Sequence, residues 1–329
     1  MAVTQKKIAE ALGLSASLVS RALGGKADAI GARPETIARI REMAESMGYV
    51  PSGVARRLRG KGKPVIGVMV ADIGDPFFSE AASEVIRQGH ERGFALAVAG
   101  FDHRVIDKDD IWILLEQDLN GLLILGGGEI PWRVRDLAVA RIGSGGSTEG
   151  MFGVGVDEAK GFEQLFGHLR ELGHRQVGWV GANQPVHRIR LAGAKRIARE
   201  AGMVWRRTDE ALGSADVLKA GLEGGEMLVA GWARRGLPTA LICSSDAVAL
   251  GVIRVLVGQG LRVPEDVSVT GFDDVLLARL ASPPLTTLGQ PVREMARLAF
   301  DHLSCGRVTT DQRNLAPKLV VRGSTGRAG

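Results

Sequence analysis

The sequence predicts a small all-α helix-turn-helix head followed by an α/β body of doubly wound parallel sheets. Three observations carry this. Positive charge is concentrated at the front: residues 1–61 hold 11 Lys and Arg against 5 Asp and Glu, a net of +6, while the remainder holds 31 against 32. From residue 65 onward, short continuous apolar runs alternate with helical patterns, as in strands buried on both faces of a parallel sheet. Glycine is abundant at 45 residues and aromatics are scarce at 5%, which suits tight strand–helix turns better than an aromatic-rich sandwich. The 329 residues leave room for about two or three domains.

The head reads TQKKIAEALGLSASLVSRAL over residues 4–23. Ile8, Ala9, Leu12, Val19 and Leu23 are spaced for two short helices sharing one core. Thr4 is placed to cap the first helix, Gly13 to end it in the left-handed region, and Ser15 to cap the second. A glycine turn between two short amphipathic helices is the helix-turn-helix pattern. A third helix is predicted over about 34–47, with Pro34 in its first turn and Ile37, Ile40, Met43 and Met47 as its apolar stripe.

A basic head on a near-neutral body points to a polyanion as partner. In a helix-turn-helix the second helix enters the major groove of DNA and its N-terminal residues meet base edges. Those residues are Ser15, Ala16, Ser17 and Leu18, with Ser20 and Arg21 one turn on. Serine hydroxyls reach phosphates or bases, Ala16 and Leu18 suit thymine methyls, and Arg21 suits guanine or a phosphate. Leu18 fits the core equally well. In YVPSGVARRLRGKGKP, residues 49–64, Ser52 precedes a two-turn helical pattern with Ala55 and Leu58 on one face and arginines around them. So short a helix is marginal alone. It reads either as a minor-groove wedge or as a flexible basic linker.

In the body, candidate strands are 65–70, 94–99, 121–125, 139–142, 153–156, 176–180, 240–243, 267–271, 285–288 and 318–321. About ten strands in this length fit two doubly wound lobes, with a closed (β/α)₈ barrel as the alternative. Ligands of open parallel sheets sit beyond the carboxyl ends of the strands. The loops there offer Asp75, Phe77 and Phe78 in DIGDPFFSE, Asp157, Arg188 and Arg190, Ser244, Ser245 and Asp246, and Asp273 and Asp274. Asp75 also suits a helix cap, with one phenylalanine open to a cleft and the other packed inward. Together these groups suit a small polar ligand.

Other classes drop out. Cys243 and Cys305 support neither a disulfide framework nor a zinc cluster. No apolar run is long enough for a membrane helix, and the start lacks a secretory signal, so a reducing cytoplasmic setting is expected. The GGG at 126–128 lacks a phosphate-loop frame, and the six histidines are scattered. Neither a cofactor, a metal nor a catalytic constellation is expected.

Eight stretches in order, IAEALGLSASLVSRAL, ESMGYVPSGVARRL, DIGDPFFSE, GVDEAKGF, LRELGHRQVGWVG, RIRLAG, LRVPEDVSVTGFDD and PPLTTLGQP, resemble the LacI/GalR family of bacterial transcription regulators along nearly the whole chain. The resemblance implies a homodimer on a palindromic double-stranded DNA operator. It also implies a periplasmic-binding-protein-like (type I) core, two lobes joined by three crossovers near 160, 290 and 318. Domains of 1–50 for the head, 51–63 for a hinge helix and linker, and 64–329 for the sensor follow. Lobe one is expected over about 64–159 and 291–317, and lobe two over about 160–290 and 318–329. Leu58 becomes the minor-groove wedge, with Ala55 beside it.

The effector positions implied by the resemblance are Asp75 and Phe77, with Phe78 adjacent, then Asp157, Arg190, Asp216, Ser245 and Asp273. Asp216 falls where many members have an aromatic, and Ser245 where many sugar binders have Asn. The implied function is a repressor controlled by a small carbohydrate-like effector. A transport-type sugar-binding protein, and a corepressor-dependent or activating regulator with a nucleobase or sugar-acid effector, are the alternatives. The C-terminal LVVRGSTGRAG has no leucine heptads, so a dimer is expected rather than a tetramer.

Overall fold

A computed structural model describes residues 3–24, 32–49, 63–101, 106, 108–127, 137–143, 149–232, 236 and 238–329. The chain forms two compact units, Met1–Lys63 and Pro64–Gly329. The expected wedge residues Ala55 and Leu58 lie outside the described residues.

The head contains α1 (Gln5–Leu12), α2 (Ala16–Leu23) and α3 (Pro34–Ser46). Thr4 Oγ1 accepts from the Lys7 N–H and Ser15 Oγ from the Leu18 N–H, and Gly13 ends α1 at φ 65°. A side chain at that φ would be strained, so glycine is the natural stop. Ile8, Ala9, Val19, Ala22, Ile40 and Ala44 form the core. Leu12 and Leu23 sit at its edge.

The body holds two six-stranded sheets, not a closed barrel. The first has the order β11-β5-β4-β3-β1-β2 and is parallel throughout. Its strands are β1 (Val65–Val70), β2 (Ala95–Gly100), β3 (Gly121–Leu125), β4 (Val139–Ile142), β5 (Met151–Val156) and β11 (Asp311–Leu315). The second has the order β12-β10-β9-β8-β6-β7, from β6 (Gln176–Gly181), β7 (Val204–Leu212), β8 (Ala240–Cys243), β9 (Ser268–Asp273), β10 (Thr286–Gly289) and β12 (Lys318–Val320). Only β12 runs antiparallel.

Alternation within the strands explains the continuous apolar runs. Ile66, Val68 and Val70 pack under α4 (Pro76–Glu91) and α11 (Val292–Cys305), while Met69 joins α5 (Lys108–Leu115) on the other face. Likewise Trp179 packs with α6 (Glu158–Glu171) and α7 (Pro185–Glu200), and Val180 with α8 (Val217–Trp232) and α9 (Asp246–Gly258). Inner strands such as β1 have two dry faces, so their positions are apolar throughout. The chain passes between the sheets three times, between β5 and α6, between β10 and α11, and between β11 and β12.

Two strands were not predicted, β7 and β11. Both are sheet edges, and their sequences VWRRTDEAL and DQRNL are half polar and exposed. An edge strand with solvent on one side needs no apolar run; its neighbour's unpaired backbone dictates it.

Helices α8 and α9 touch through glycines. A Cβ on Gly251 would lie 2.8 Å from the Gly221 backbone. Gly251→Ala is therefore expected to destabilise the body by about 2 kcal/mol, the overpacking outweighing the ~1 kcal/mol gained in helix propensity. Urea unfolding followed by tryptophan emission checks this, and an unchanged midpoint would contradict the close packing. All five tryptophans, Trp112, Trp132, Trp179, Trp205 and Trp232, lie beyond residue 63, so emission reports the body alone.

Candidate functional site

In the head, the front of α2 presents an exposed polar face. Ser15, Ala16 and Ser17 are exposed, and Arg21 Nη2 donates to Ser17 Oγ at 2.8 Å, one turn away. Thr4 and Ser15 accept backbone N–H bonds, which leaves each O–H as a donor. Leu18 is half-buried against the core cluster, as a packing residue would be. Ser20 is half-buried beside it. The helix N-terminus adds backbone donors and positive potential toward an anion.

In the body, the carboxyl ends of both sheets supply the buried polar groups. Asp75 is the N-cap of α4, its Oδ1 accepting from the Phe77 N–H at 2.9 Å. Burial pushes its carboxyl up to about 6, with the charge of Asp72 adding; the Phe77 amide and Arg190 pull the other way. Of the two rings, Phe77 packs inward. It is buried in a cluster with the lobe-two residues Val180, Val275 and Ala278. Phe78 meets it edge-on at 5.2 Å and packs against both lobe-one clusters.

Arg190, on α7, is 5% exposed and bonded through two of its nitrogens. Its Nε donates to Glu158 Oε1 at 3.0 Å, its Nη1 donates to the Ser244 carbonyl at 2.5 Å, and its guanidinium lies 3.7 Å over the Phe272 ring. Such a planar fork serves three partners that a lysine would not. Asp273 ends β9 in the left-handed region, at φ 123°, and accepts from Gln290 Nε2 at 2.6 Å. Burial raises its pKa well above the carboxylate range. Arg190 opposes this, while Asp246 and Asp75 push further up. Asp75 of lobe one and Arg190 and Asp273 of lobe two are thus electrostatic neighbours.

The other expected positions serve first as helix caps. Ser245 Oγ accepts from the Val248 N–H at 3.3 Å, and Asp157 Oδ1 from the Lys160 N–H at 3.2 Å. Asp216 departs furthest. It is exposed, it accepts from the Leu218 and Lys219 N–H groups at 3.0 and 3.2 Å, and the Lys219 amide leads in holding its pKa low. All these partners belong to its own helix, so it caps α8.

Ser244 and Asp246, offered by the loop after β8, join the cluster, and His187, not singled out from sequence, joins them. Asp246 is buried, accepts from Thr287 Oγ1 at 2.5 Å and the Val275 N–H at 2.9 Å, and is held above the carboxylate range by burial. His187 Nδ1 pairs with Ser244 Oγ at 2.5 Å, and both are buried. His187 lies one turn before Arg190, and that spacing was the only signal. Beside this cluster a cavity of about 670 Å³ opens past Phe77, Asp273 and Gln290 toward the charged faces of α4 and α11.

A periplasmic-binding-protein-like domain model matches residues 166–325. The ribose operon repressor of Haemophilus influenzae is 30% identical, with 98% of each chain covered. The chain belongs to the LacI family of transcriptional regulators. The HTH-type transcriptional regulator DegA of Bacillus subtilis is 28% identical over 99% of this chain and 98% of its own. Among solved structures, a lac repressor bound to ONPG in the repressed state superposes with a TM-score of 0.76 at 25% identity, covering 99% of this chain and 100% of that one. These LacI-family relatives are regulators, not enzymes. No helix among the described residues is long and apolar enough to cross a membrane.

Proposed function

We propose that this LacI-family chain is a repressor that binds a palindromic operator as a homodimer in the cytoplasm, under the control of a small carbohydrate-like effector held between its lobes. The observation that carries the reading is one chain joining a basic helix-turn-helix head to a two-lobed body whose buried polar groups, Asp75, Arg190 and Asp273, come from both lobes. Residues 1–50 serve as the head, 51–63 as hinge and 64–329 as sensor. In this reading Ser17 and Arg21 meet bases and phosphates, and Leu58 and Ala55 act as the wedge.

The charge balance favours a polyol over an acid. Arg190 already pairs with Glu158 and donates to the Ser244 carbonyl, so its charge is offset before a ligand carboxylate arrives. Asp75 and Asp273 suit hydroxyl donors. A ligand preferring one arrangement of the lobes shifts their equilibrium by its differential affinity alone.

Two measurements test the proposal. Duplexes selected from random DNA are titrated with the full chain at rising salt. The affinity is expected to fall steeply, by about 10³-fold or more between 50 and 200 mM, as several phosphates are neutralised; a flat dependence rules the DNA reading out. A thermal-shift screen of sugars, sugar acids, nucleosides and purines then looks for a ligand that raises the melting temperature by mass action. Stabilisation by sugar acids in preference to neutral sugars would reverse the ligand class.

A further inference from the structure

We propose that Glu80 is an interlobe latch, a lobe-one side chain that caps a lobe-two helix and so ties the closure of the lobes to the turn carrying Asp273. The turn after β9 is unusual. Asp273 and Asp274, consecutive and neither a glycine, both have positive φ, 123° and 61°. L-residues adopt that region at a cost, and such a turn persists only where its surroundings over-determine it.

Here the surroundings are a set of clamps from four directions. Gln290, on the crossover, holds the Asp273 carboxylate. Arg322 and Arg279 hold Asp274. Asp246 accepts from the Val275 N–H at 2.9 Å. The fourth comes from the other lobe: Glu80, on α4, accepts from the Leu276 N–H at 2.7 Å.

That last bond fills a gap in the fold. The short helix α10 (Leu276–Leu280) has Val275 as its N-cap residue, with no side-chain cap of its own. Its first N–H groups need acceptors; lobe two supplies Asp246 for Val275 and the Val275 carbonyl for Ala278. The acceptor for Leu276 is borrowed from lobe one, 196 residues away in sequence. Phe77, one turn earlier on α4, packs with Val275 and Ala278 on either side of the same segment. The start of α4 therefore grips α10 through one apolar and one charged contact. Separating the lobes breaks both, and leaves a strained turn with one clamp fewer. The turn that presents Asp273 is thereby most ordered when the lobes are closed, without any ligand.

The test needs neither effector nor DNA, so it stands apart from the proposed function. Nitroxide labels are placed on lobe one at Glu116→Cys and on lobe two at Arg199→Cys, both exposed positions, in a Cys305→Ser background. The remaining Cys243 is buried. Labelled protein is mixed with a large excess of unlabelled protein, and interlobe distances are read by pulsed electron–electron double resonance. The unsubstituted latch should give one narrow distribution. Glu80→Ala should raise the open fraction roughly tenfold, the expected scale for a charge-assisted hydrogen bond, and quicken amide exchange in 276–280. Glu80→Gln keeps an acceptor oxygen and should restore the narrow distribution. Because Glu80 is exposed, neither change threatens folding, which circular dichroism verifies. A Glu80→Ala distribution matching the parent overturns the latch, as does a Glu80→Gln distribution as broad as that of Glu80→Ala.

Discussion

Asp75→Asn is expected to stabilise the body by about 3 kcal/mol at pH 8 and to change little at pH 4. The Asp75 carboxyl is 7% exposed and its pKa stands at about 6 in the folded chain, against 3.8 when unperturbed. A raised acid binds its proton more tightly in the folded state. Its contribution is therefore fully present below about pH 4 and is lost as the pH rises through 6. Above that, the folded protein carries a charge that burial and Asp72 both oppose. Asparagine removes the charge while keeping an oxygen for the Phe77 N–H, and it caps helices as well as aspartate does. Urea midpoints from tryptophan emission at pH 4, 6 and 8 measure the gain. A gain independent of pH would mean that burial of charge is not the cause. If Asp75 also meets the effector, the same substitution should weaken the ligand found by thermal shift, as expected of a site held at a cost in stability.

Arg190→Ala carries the other large effect. The guanidinium neutralises Glu158, satisfies the Ser244 carbonyl and covers the Phe272 face. Its removal breaks the ion pair with Glu158, 17% exposed at its side chain, and takes from Asp273 the positive charge that restrains its pKa. Breaking a buried pair from one side costs about 3–5 kcal/mol, so the urea midpoint should fall clearly. Arg190→Lys should recover part of this through charge alone, because an ammonium cannot form the fork or stack in the same way. The head retains its own core, so binding to the selected operator should persist without ligand at a temperature where the variant body is folded, while the response to ligand disappears. A response that survives Arg190→Ala would place the effector elsewhere.

Both predictions concern residues recognisable in the sequence, but their condition was not. Asp75, Arg190 and Asp273 were legible because helix caps and strand ends occupy fixed places in an α/β pattern. That Arg190 is engaged by Glu158 and the Ser244 carbonyl depends on β8 and α6 arriving beside α7, and no spacing in the chain announces it. Asp216 came from the resemblance alone, at a position where many members have an aromatic. In the fold its two nearest donors are amides of its own first turn, and a local bond formed at little entropic cost holds it there.

The sequence alone determines the elements whose physics is local. Caps at Thr4, Gly13 and Ser15 set the head helices, and runs such as VIGVMV and QVGWVG mark strands with two dry faces. The split of charge into a +6 front and a near-neutral body is likewise a property of composition. Tertiary structure alone decides what depends on partners distant in sequence. The edge strands β7 and β11 form because a neighbour offers unpaired backbone. Phe77 is buried because a second lobe covers it. Leu276 is capped because Glu80 comes from the other side of the seam. Local preferences act over a few residues, whereas desolvation and long-range hydrogen bonds act only once the lobes have met, and it is these that set the charge state of the acids between them.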